Sequence, residues 1–312
     1  SIIKQGGEMS QKRIVTRSDF DGLVCAVLLK KVEDIGEIKF VHPKDVQDGK
    51  VEITANDILA NIPFDPRCHL CFDHHSSEAS RIADDPKRIL LMAPSAARVI
   101  YDHYGADKFP GMKELLESVD RVDSADLEME DVTDAKGGIL LGFIMDPRTG
   151  LGRFRHFKIS NYQLMMNMVD SIGQSSAEEV LALPDVKERV DFYLKQNEEF
   201  KNSLPNFSKV DGNVVVSDIR NLDEVPAGNR FLVYTVYPQC NVNLWVSWGF
   251  KKQNVAVATG YSIFNKTCQT DVGELMSEYG GGGHEAAGTC QLDTDKADAL
   301  ISEIVNKLKA KG

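Results

Sequence analysis

The segment from Lys12 to Pro43 constrains the fold most, because an apolar strand, a helix and a second apolar strand follow one another there. The run KRIVT has the composition of a strand, GLVCAVLLKKV has helical spacing, and EIKFVHP is strand-like again. Apolar runs within 56–64 and 68–75 predict two further buried strands. Since strands alternate with helices, we predict an α/β fold with an open parallel sheet, whose ligands bind beyond the carboxyl ends of the strands.

The pattern changes further along the chain. A loop-rich basic stretch at 146–157 precedes helical segments, and from about Phe207 the runs NVVVSDI, RFLVYTVYP, NVNLWVSWG and NVAVATGYSIF indicate strands before a final amphipathic helix. A chain of 312 residues has the length of about two domains. We therefore predict a parallel-sheet N-terminal domain, a helical connector and a smaller α+β C-terminal domain, over 9–160, 161–206 and 207–312.

Charge and composition limit the function. The net charge is -11, from 36 Lys and Arg against 47 Asp and Glu, which argues against binding to long duplex nucleic acid because counterion release requires a basic face. An anionic substrate must then be held by local cations or by a metal ion. Six cysteines are too sparse for a disulfide scaffold and predict a reducing, cytoplasmic compartment, and no apolar run has the length of a membrane span.

Two motifs lie at predicted strand ends and carry metal-binding side chains. Asp19-Phe20-Asp21-Gly22 follows the first strand, where two carboxylates can point into one site; helix capping is the alternative function of such an Asp. Asp73-His74-His75 follows the run HLCF and offers the oxygen and nitrogen ligands that suit Mn, Fe or Zn more than Mg or Ca. The alternative for this motif is a solvated polar turn.

Two further features carry acidic or thiol side chains. Asp120, Asp123 and Asp126 are spaced by three, so the first two share a helical face and repel each other unless a cation lies between them; an ordinary acidic helix end is the alternative. The pair Cys68 and Cys71 lacks a second pair that would complete a zinc site, and we interpret it as strand packing.

A run of four glycines, Gly280 to Gly283, is followed by His284. Each glycine costs about 0.5–1 kcal/mol in backbone entropy relative to Ala. We infer that packing does not account for four of them and that a ligand approaches the backbone closely, with exposed amides holding an anion such as phosphate. A flexible hinge is the alternative.

These four motifs, in this order on one chain, resemble the DHH phosphoesterase superfamily with its C-terminal DHH-associated domain. The resemblance extends from about Arg13 to Leu308, and it is specific because DHH is joined to GGGGH about 210 residues later. Family members include exopolyphosphatases, oligoribonucleases acting on very short RNAs, phosphatases of 3′-phosphoadenosine phosphate, cyclic-dinucleotide phosphodiesterases and single-strand exonucleases. The resemblance implies a hydrolase with two divalent ions, usually Mn²⁺ with Mg²⁺ as the alternative, and a substrate between the domains.

The resemblance also implies roles for individual residues. His75 would contact the scissile phosphate or support the site, and Asp120 is the nearest rival of Asp123 as a metal ligand. The metal ligands would be Asp19, Asp21, Asp73, His74 and Asp123, and the substrate-binding residues would be Gly281, Gly282, Gly283 and His284, joined by Arg230 and Asn265.

The chain departs from the family pattern at two positions. Arg17 stands where the first motif usually has a histidine, and Asn61 stands where the second motif usually has a metal-bridging Asp. Three interpretations stay open: a single ion, Arg17 binding a phosphate in place of the second ion, or loss of hydrolysis in a nucleotide-binding regulatory protein. Arg148, Arg153 and Arg155 either neutralise charge on the phosphoryl group or form a solvated basic loop.

The sequence thus predicts a metal-dependent phosphoesterase acting on a small phosphate-rich substrate, which is a short oligonucleotide, a nucleotide or polyphosphate. No long duplex or membrane partner is expected, and a homodimer is left open. Aromatic platforms near the glycine run would favour a base-containing substrate. Tyr261, Phe264 and Tyr279 lie close to it in sequence, but core packing explains them more simply.

Overall fold

The computed structural model describes residues 10–75 and 85–312. The chain forms two compact units. The first comprises the described residues up to Asp126 with Lys136–Pro147 and Leu151–Val190, and the second comprises Leu127–Ala135, Arg148–Gly150 and Asp191–Gly312. The boundaries of the connector given by the sequence, at 160 and 206, stay predictions.

The first unit contains a five-stranded parallel sheet with the order β2-β1-β3-β4-β5. This confirms the predicted parallel α/β architecture. The strands are β1 (Lys12–Arg17), β2 (Ile35–Val41), β3 (Asp57–Ala60), β4 (Leu70–His75) and β5 (Arg88–Met92). The helices are α1 (Phe20–Val32), α2 (Pro43–Gln47), α3 (Ala96–Tyr104), α4 (Lys113–Asp123), α6 (Gly137–Met145), α7 (Asn161–Gln174) and α8 (Ala177–Leu181), with α5 (Met129–Thr133) in the second unit; α9 (Pro184–Phe207) begins in the first unit and ends in the second.

Helix α1 occupies the centre of the first unit. Its residues from Phe20 to Leu29 are all buried, because α3 and α7 pack against it in addition to the sheet. A helix that is apolar all round is a core helix rather than a surface helix. The turn before it is tight: a Cβ on Gly22 would collide with the carbonyl oxygen of Arg17, so only glycine fits there. The chain therefore turns directly from β1 into α1 and leaves the side chains of this turn at the carboxyl end of the sheet.

The second unit contains a six-stranded sheet with the order β10-β11-β9-β8-β7-β6, in which only β7 and β8 pair in parallel. Residues of β8, β9 and β11 form one apolar cluster with residues of α11 and α12. The remaining elements are β6 (Ser208–Asp211), β7 (Val214–Asp218), α10 (Leu232–Val236), β8 (Val242–Trp248), β9 (Val255–Tyr261), α11 (Val272–Ser277), β10 (Gly282–Gly283), β11 (Ala287–Leu292) and α12 (Ala297–Lys311).

One predicted strand of the second unit is wrong. The run RFLVYTVYP forms the short helix α10 instead of a strand. Local hydrogen bonds favour the helix, since the Asn229 side chain accepts from the Phe231 amide at 2.8 Å and the Thr235 hydroxyl donates to the Leu232 carbonyl at 2.7 Å. A short apolar run does not distinguish a buried helix from a buried strand by periodicity.

The cysteines agree with the packing interpretation. Cys68 and Cys71 are buried in the core beside β3 and β4, and burial raises the pKa of the Cys68 thiol to about 11. None of the helices formed by residues 10–75 and 85–312 is long and apolar enough to cross a membrane.

Candidate metal centre and active site

Among the residues that the structure describes, Asp21 is the most buried acid at the carboxyl end of the sheet, with only 2% of the residue exposed. Its two carboxylate oxygens accept hydrogen bonds from the amides of Ala97 and Ala96, at 2.9 and 3.0 Å. These amides belong to the first turn of α3, where unpaired N–H groups and the helix dipole favour negative charge. The start of α3 therefore fixes the Asp21 carboxylate in one orientation.

His74, near the end of β4, is oriented by a backbone carbonyl. Its Nδ1 atom lies 3.0 Å from the carbonyl oxygen of Ala93, so Nδ1 carries the hydrogen and donates it. The Nε2 atom then faces the carboxylates of Asp123, at 3.2 Å, and Asp21, at 3.8 Å. A carbonyl that holds the non-ligating nitrogen is the usual support of a metal-binding imidazole.

Asp21, His74 and Asp123 offer one ligand atom each, and these atoms all lie within 4.8 Å of one another. Burial raises the pKa of the Asp21 carboxyl well above its ordinary range, and the charges of Asp123 and Asp19 raise it further. A divalent cation among the three groups would reverse this cost by favouring the ionised form. Two carboxylates and one imidazole fit Mn²⁺, Fe²⁺ or Zn²⁺ better than Ca²⁺.

Asp19 lies beside this cluster but is not part of it among the described residues. It caps α1 by accepting from the Gly22 amide at 2.8 Å, and its other oxygen pairs with Nε of Arg17 at 3.0 Å. The amide of Asn61 donates to Asp19 at 3.4 Å. Arg17 and Asn61, the two departures from the family pattern, therefore both contact the same carboxylate.

Asp73 is also outside the cluster in the described part of the chain. One of its oxygens accepts from the backbone amide of His74 at 2.8 Å. Successive residues of a strand point to opposite faces of a sheet, so β4 directs only one of the two side chains at the cluster. The side chain of His75 lies outside the described part of the structure, and its predicted contact with the scissile phosphate stays a prediction.

The structure separates the two candidate acids of α4. Asp120 accepts from the Ser95 hydroxyl at 2.7 Å and from two guanidinium nitrogens of Arg98, at 2.9 and 2.7 Å. These contacts tie α4 to the start of α3. Asp123 lies one turn further along and faces His74 instead. Asp120 thus supports the position of α3, and Asp123 is the acid that the structure brings to the cluster.

The glycine run begins in the turn that follows α11, and Gly282 and Gly283 form β10, which pairs with β11. The prediction that packing does not account for these glycines is wrong for two of them. A Cβ on Gly281 would collide with the carbonyl oxygen of Thr289, and one on Gly283 would collide with that of Ala287. Gly280 has a φ of +80°, in the left-handed region, and only Gly282 has both an ordinary φ and open space around it. Close approach of two backbone segments therefore explains much of the motif.

The other predicted substrate-binding residues lie in loops of the second unit. His284 is exposed, and its backbone amide donates to the Ala287 carbonyl at 2.7 Å. Arg230 is exposed, with its guanidinium carbon 4.3 Å from the centre of the Phe231 ring. The Asn265 side chain accepts from the Thr267 hydroxyl at 2.6 Å, so it takes part in its own turn. Their predicted roles in substrate binding stay predictions.

Sequence reasoning missed the groups that orient the cluster. The Ala93 carbonyl and the amides of Ala96 and Ala97 are backbone atoms, which no side-chain motif reveals. The signal that was present is Pro94-Ser95, the typical start of a helix. This pair predicts a helix N-terminus near Ser95, but it does not show that this N-terminus meets Asp21.

No family model matches the chain, and no curated protein matches it. Among solved structures, the pGpG-specific phosphodiesterase PggH from Vibrio cholerae has 50% sequence identity and a TM-score of 0.87, over 97% of this chain and 100% of that one. RecJ from Thermus thermophilus in complex with Mn²⁺ has 11% identity and a TM-score of 0.53, over 94% of this chain and 51% of that one. The DHH domain of a member of the S1P family of ribosomal proteins has 12% identity and a TM-score of 0.52, over 96% of this chain and 87% of that one.

The parallel sheet groups two carboxylates and an imidazole beyond its strand ends, where the ligands of open α/β sheets bind, and these three side chains could hold a metal ion. The similarity to PggH over 97% of the chain, together with the order of the motifs, shows the family to which the protein belongs. The chain belongs to the DHH phosphoesterase superfamily, and the protein is a phosphoesterase.

Proposed function

We propose that the protein hydrolyses the phosphodiester bond of a 5′-phosphorylated dinucleotide, with pGpG as the substrate. The observation that carries this proposal is the 50% identity to a pGpG-specific phosphodiesterase over 97% of the chain. The grouping of Asp21, His74 and Asp123 supports this proposal, because metal-assisted hydrolysis of a phosphodiester needs side chains that can hold a divalent ion. The sequence left open whether the substrate is a short oligonucleotide or polyphosphate, and we propose the short oligonucleotide.

The cluster is proposed to hold one Mn²⁺-type ion through a carboxylate oxygen of Asp21, Nε2 of His74 and a carboxylate oxygen of Asp123. The ion would polarise the phosphoryl group and lower the pKa of water. Three protein ligands leave positions open for water and substrate. The amides of Ala96 and Ala97 hold the Asp21 carboxylate in place before the ion binds, and the Ala93 carbonyl does the same for the His74 ring.

Arg17 is proposed to bind a substrate phosphate where the family usually has a second ion. Asp19 pairs with its Nε edge, and 44% of the Arg17 side chain is exposed. A guanidinium has five N–H donors, so the pair with Asp19 leaves others for phosphate oxygens. An Asp in place of Asn61 would put a second carboxylate beside Asp19, which a cation would have to neutralise, whereas the neutral amide donates a hydrogen bond. Asp19 then acts as a positioning residue for Arg17.

The proposed reaction exchanges one bond for another. The oxygen of a water molecule forms a bond to the bridging phosphorus, the bond from phosphorus to O3′ breaks, and O3′ takes a proton and leaves as a hydroxyl group. Two molecules of pG result. The run of Gly282, Gly283 and His284, in which Gly283 and His284 are exposed, is proposed to contact the substrate as well, as the resemblance implies.

The test is hydrolysis by protein that has been stripped of metal and then supplied with Mn²⁺ or Mg²⁺. Anion-exchange chromatography measures the conversion of pGpG to pG. The expected result is that pGpG is converted, and that longer oligonucleotides and polyphosphate are converted more slowly. Asp123→Asn is expected to remove the activity, and Asp120→Asn is the matched control that retains it. Release of phosphate from polyphosphate without conversion of pGpG would overturn the substrate, and no turnover of any of these substrates would favour the regulatory alternative.

A further inference from the structure

The segment from Arg153 to Lys158 has the sequence RFRHFK and is called here the basic aromatic segment. Cations and aromatic rings alternate in it, and no acid occurs between Asp146 and Asp170. This composition stands out in a chain whose net charge is -11. The segment precedes α7 and belongs to the first unit. It contains rings and positive charges together, which is the combination that binds a nucleic acid base and its phosphate.

The direction of α7 places the segment at the carboxyl end of the sheet. Near the C-termini of both helices, Nζ of Lys30 in α1 contacts a carboxylate oxygen of Asp170 in α7 at 2.5 Å. Near their beginnings, the Ser18 hydroxyl contacts the sulfur of Met165 at 3.3 Å. Helices α1 and α7 therefore run side by side in the same direction. Ser18 is the residue before Asp19, so α7 begins at the same edge of the sheet as the metal-binding cluster.

Helix α7 also extends past the strand ends. The four residues from Asn161 to Leu164, which precede Met165, add about 6 Å of helix on the far side of Ser18. The ring of Tyr162 packs edge-on against Phe40, near the end of β2, with 6.2 Å between the ring centres. The basic aromatic segment ends at Lys158, three residues before α7 begins, so its C-terminal end lies beside the rim beyond the carboxyl ends of β1 and β2. Ligands of open parallel sheets bind on that rim.

A buried arginine holds the segment in place. Arg189 of α9 is only 1% exposed, and its Nη2 donates to the Ile159 carbonyl at 2.8 Å and to the Asn161 side chain at 3.1 Å. Its guanidinium carbon lies 4.3 Å from the centre of the Phe157 ring. A buried arginine usually has its hydrogen bonds satisfied. The hydrogen bonds of Arg189 fix a short loop that has little secondary structure. A loop that is fixed in advance loses less entropy when it binds a ligand.

The rings of the segment form a small array around His156. The His156 ring lies 4.4 Å from the Phe157 ring at an angle of 35°, and 6.1 Å from the Phe154 ring at 78°. His156 is exposed, as are Arg153, Arg155 and Lys158, whereas both phenylalanines are half-buried. The imidazole is thus an exposed platform backed by a ring that Arg189 supports. An exposed ring of this kind stacks on a base, and the flanking cations attract the phosphate.

We infer that the basic aromatic segment binds one purine base of the dinucleotide, with the His156 ring stacked on the base and Arg155 attracting the adjoining phosphate. This inference rests on the proposed function and adds the determinant of base recognition to it. One exposed ring suits one base, which agrees with a short substrate rather than a long strand. His156 is a binding residue in this inference, and no proton transfer is assigned to it.

The test compares His156→Ala and His156→Phe with the unchanged protein. Their kcat and KM are measured on pGpG and on an analogue in which one guanine is replaced by an abasic sugar. His156→Ala is expected to raise KM for pGpG by about tenfold, which is the lower range of what one stacked base contributes, and to change kcat less than twofold. His156→Phe is expected to restore KM because it keeps a ring. The increase in KM is expected to be much smaller on the abasic analogue that lacks the stacked base.

Phe250→Ala is the matched control, because Phe250 is another strongly exposed ring, at 76%, in the turn between β8 and β9. Its replacement is expected to leave KM for pGpG unchanged. If the unchanged protein hydrolyses pGpG and His156→Ala has an unaltered KM, or if His156→Phe fails to restore it, base stacking by this segment is refuted while the proposed function stands. If the unchanged protein does not hydrolyse pGpG, the proposed function is refuted and this inference with it.

Discussion

The two aspartates of α4 provide the sharpest test of the metal centre, because they are alike in chemistry and differ in surroundings. Asp123 faces His74 and lies within the cluster, and Asp120 is bonded to Ser95 and Arg98. Replacement of either by Asn changes few atoms and removes one charge. We expect the two replacements to change the free energy of unfolding of the metal-free protein in opposite directions.

The magnitudes follow from the contacts. Asp21 and Asp123 have ligand atoms within 4.8 Å of each other, and two unit charges at that distance repel by about 3 kcal/mol at an effective dielectric constant of about 20. Because 25% of the Asp123 side chain is exposed, solvent reduces this repulsion, and Asp123→Asn should stabilise the metal-free protein by about 1–2 kcal/mol. Asp120→Asn removes the ion pair with Arg98, which is joined by two hydrogen bonds, and should destabilise the protein by about 2–3 kcal/mol.

Urea unfolding at pH 8, first with EDTA and then with Mn²⁺, measures both effects. At a Mn²⁺ concentration one hundred times its Kd, binding stabilises the folded protein by about 2.7 kcal/mol. The unchanged protein and Asp120→Asn should gain this stability, and Asp123→Asn should lose most of the gain. If both variants were destabilised alike in EDTA and both kept the Mn²⁺ gain, the assignment of Asp123 to the metal centre would be refuted.

Three further predictions follow from single contacts. The pKa of Asp21 is higher in the folded protein than in the unfolded chain, so the free energy of unfolding of the metal-free protein should fall as pH rises above about 4. The affinity for Mn²⁺, measured by calorimetry, should rise over the same range. A Mn²⁺ affinity that does not change with pH would contradict this. Arg17→Ala should lower kcat/KM for pGpG by at least about tenfold with an unchanged Kd for Mn²⁺, whereas a changed Kd alone would contradict phosphate binding. Gly281→Ala should lower the Tm by several degrees because its Cβ meets the Thr289 carbonyl, and Gly282→Ala should lower it little; equal Tm values would contradict the packing.

The sequence predicted the first unit well because its patterns are strong. An apolar core helix between two apolar strands leaves few arrangements, and β1, α1 and β2 form where KRIVT, GLVCAVLLKKV and EIKFV predicted them. The short run around Tyr234 was mistaken for a strand, because a buried five-residue helix and a buried strand have the same composition. Local hydrogen bonds decide between them, and these are not visible in periodicity.

The candidate site was predicted in part for a similar reason. The motifs placed acids and imidazoles at strand ends, but motif spacing does not show which acid of each pair faces the cluster. Asp21 rather than Asp19 lies in it, since Asp19 is held by Arg17 and by the cap of α1. The choice between Asp120 and Asp123 depended on Arg98, a residue that no motif contains.

The glycine run shows a different limit of sequence reasoning. Entropy alone suggested a ligand, because the cost of four glycines was visible and the packing that requires them was not. The hairpin β10–β11 brings its two backbone segments so close that Gly281 and Gly283 tolerate no side chain. Such contacts join residues that pair across a turn, and a sequence read residue by residue does not display them.

The most direct measurement of the metal centre is anomalous X-ray scattering at the manganese absorption edge, from crystals of the Mn²⁺-loaded protein. A single strong peak within bonding distance of Asp21, His74 and Asp123 is expected, with Arg17 and Asn61 still contacting Asp19. Manganese found only elsewhere in the molecule, or none in active protein, would contradict a cation held by these three side chains.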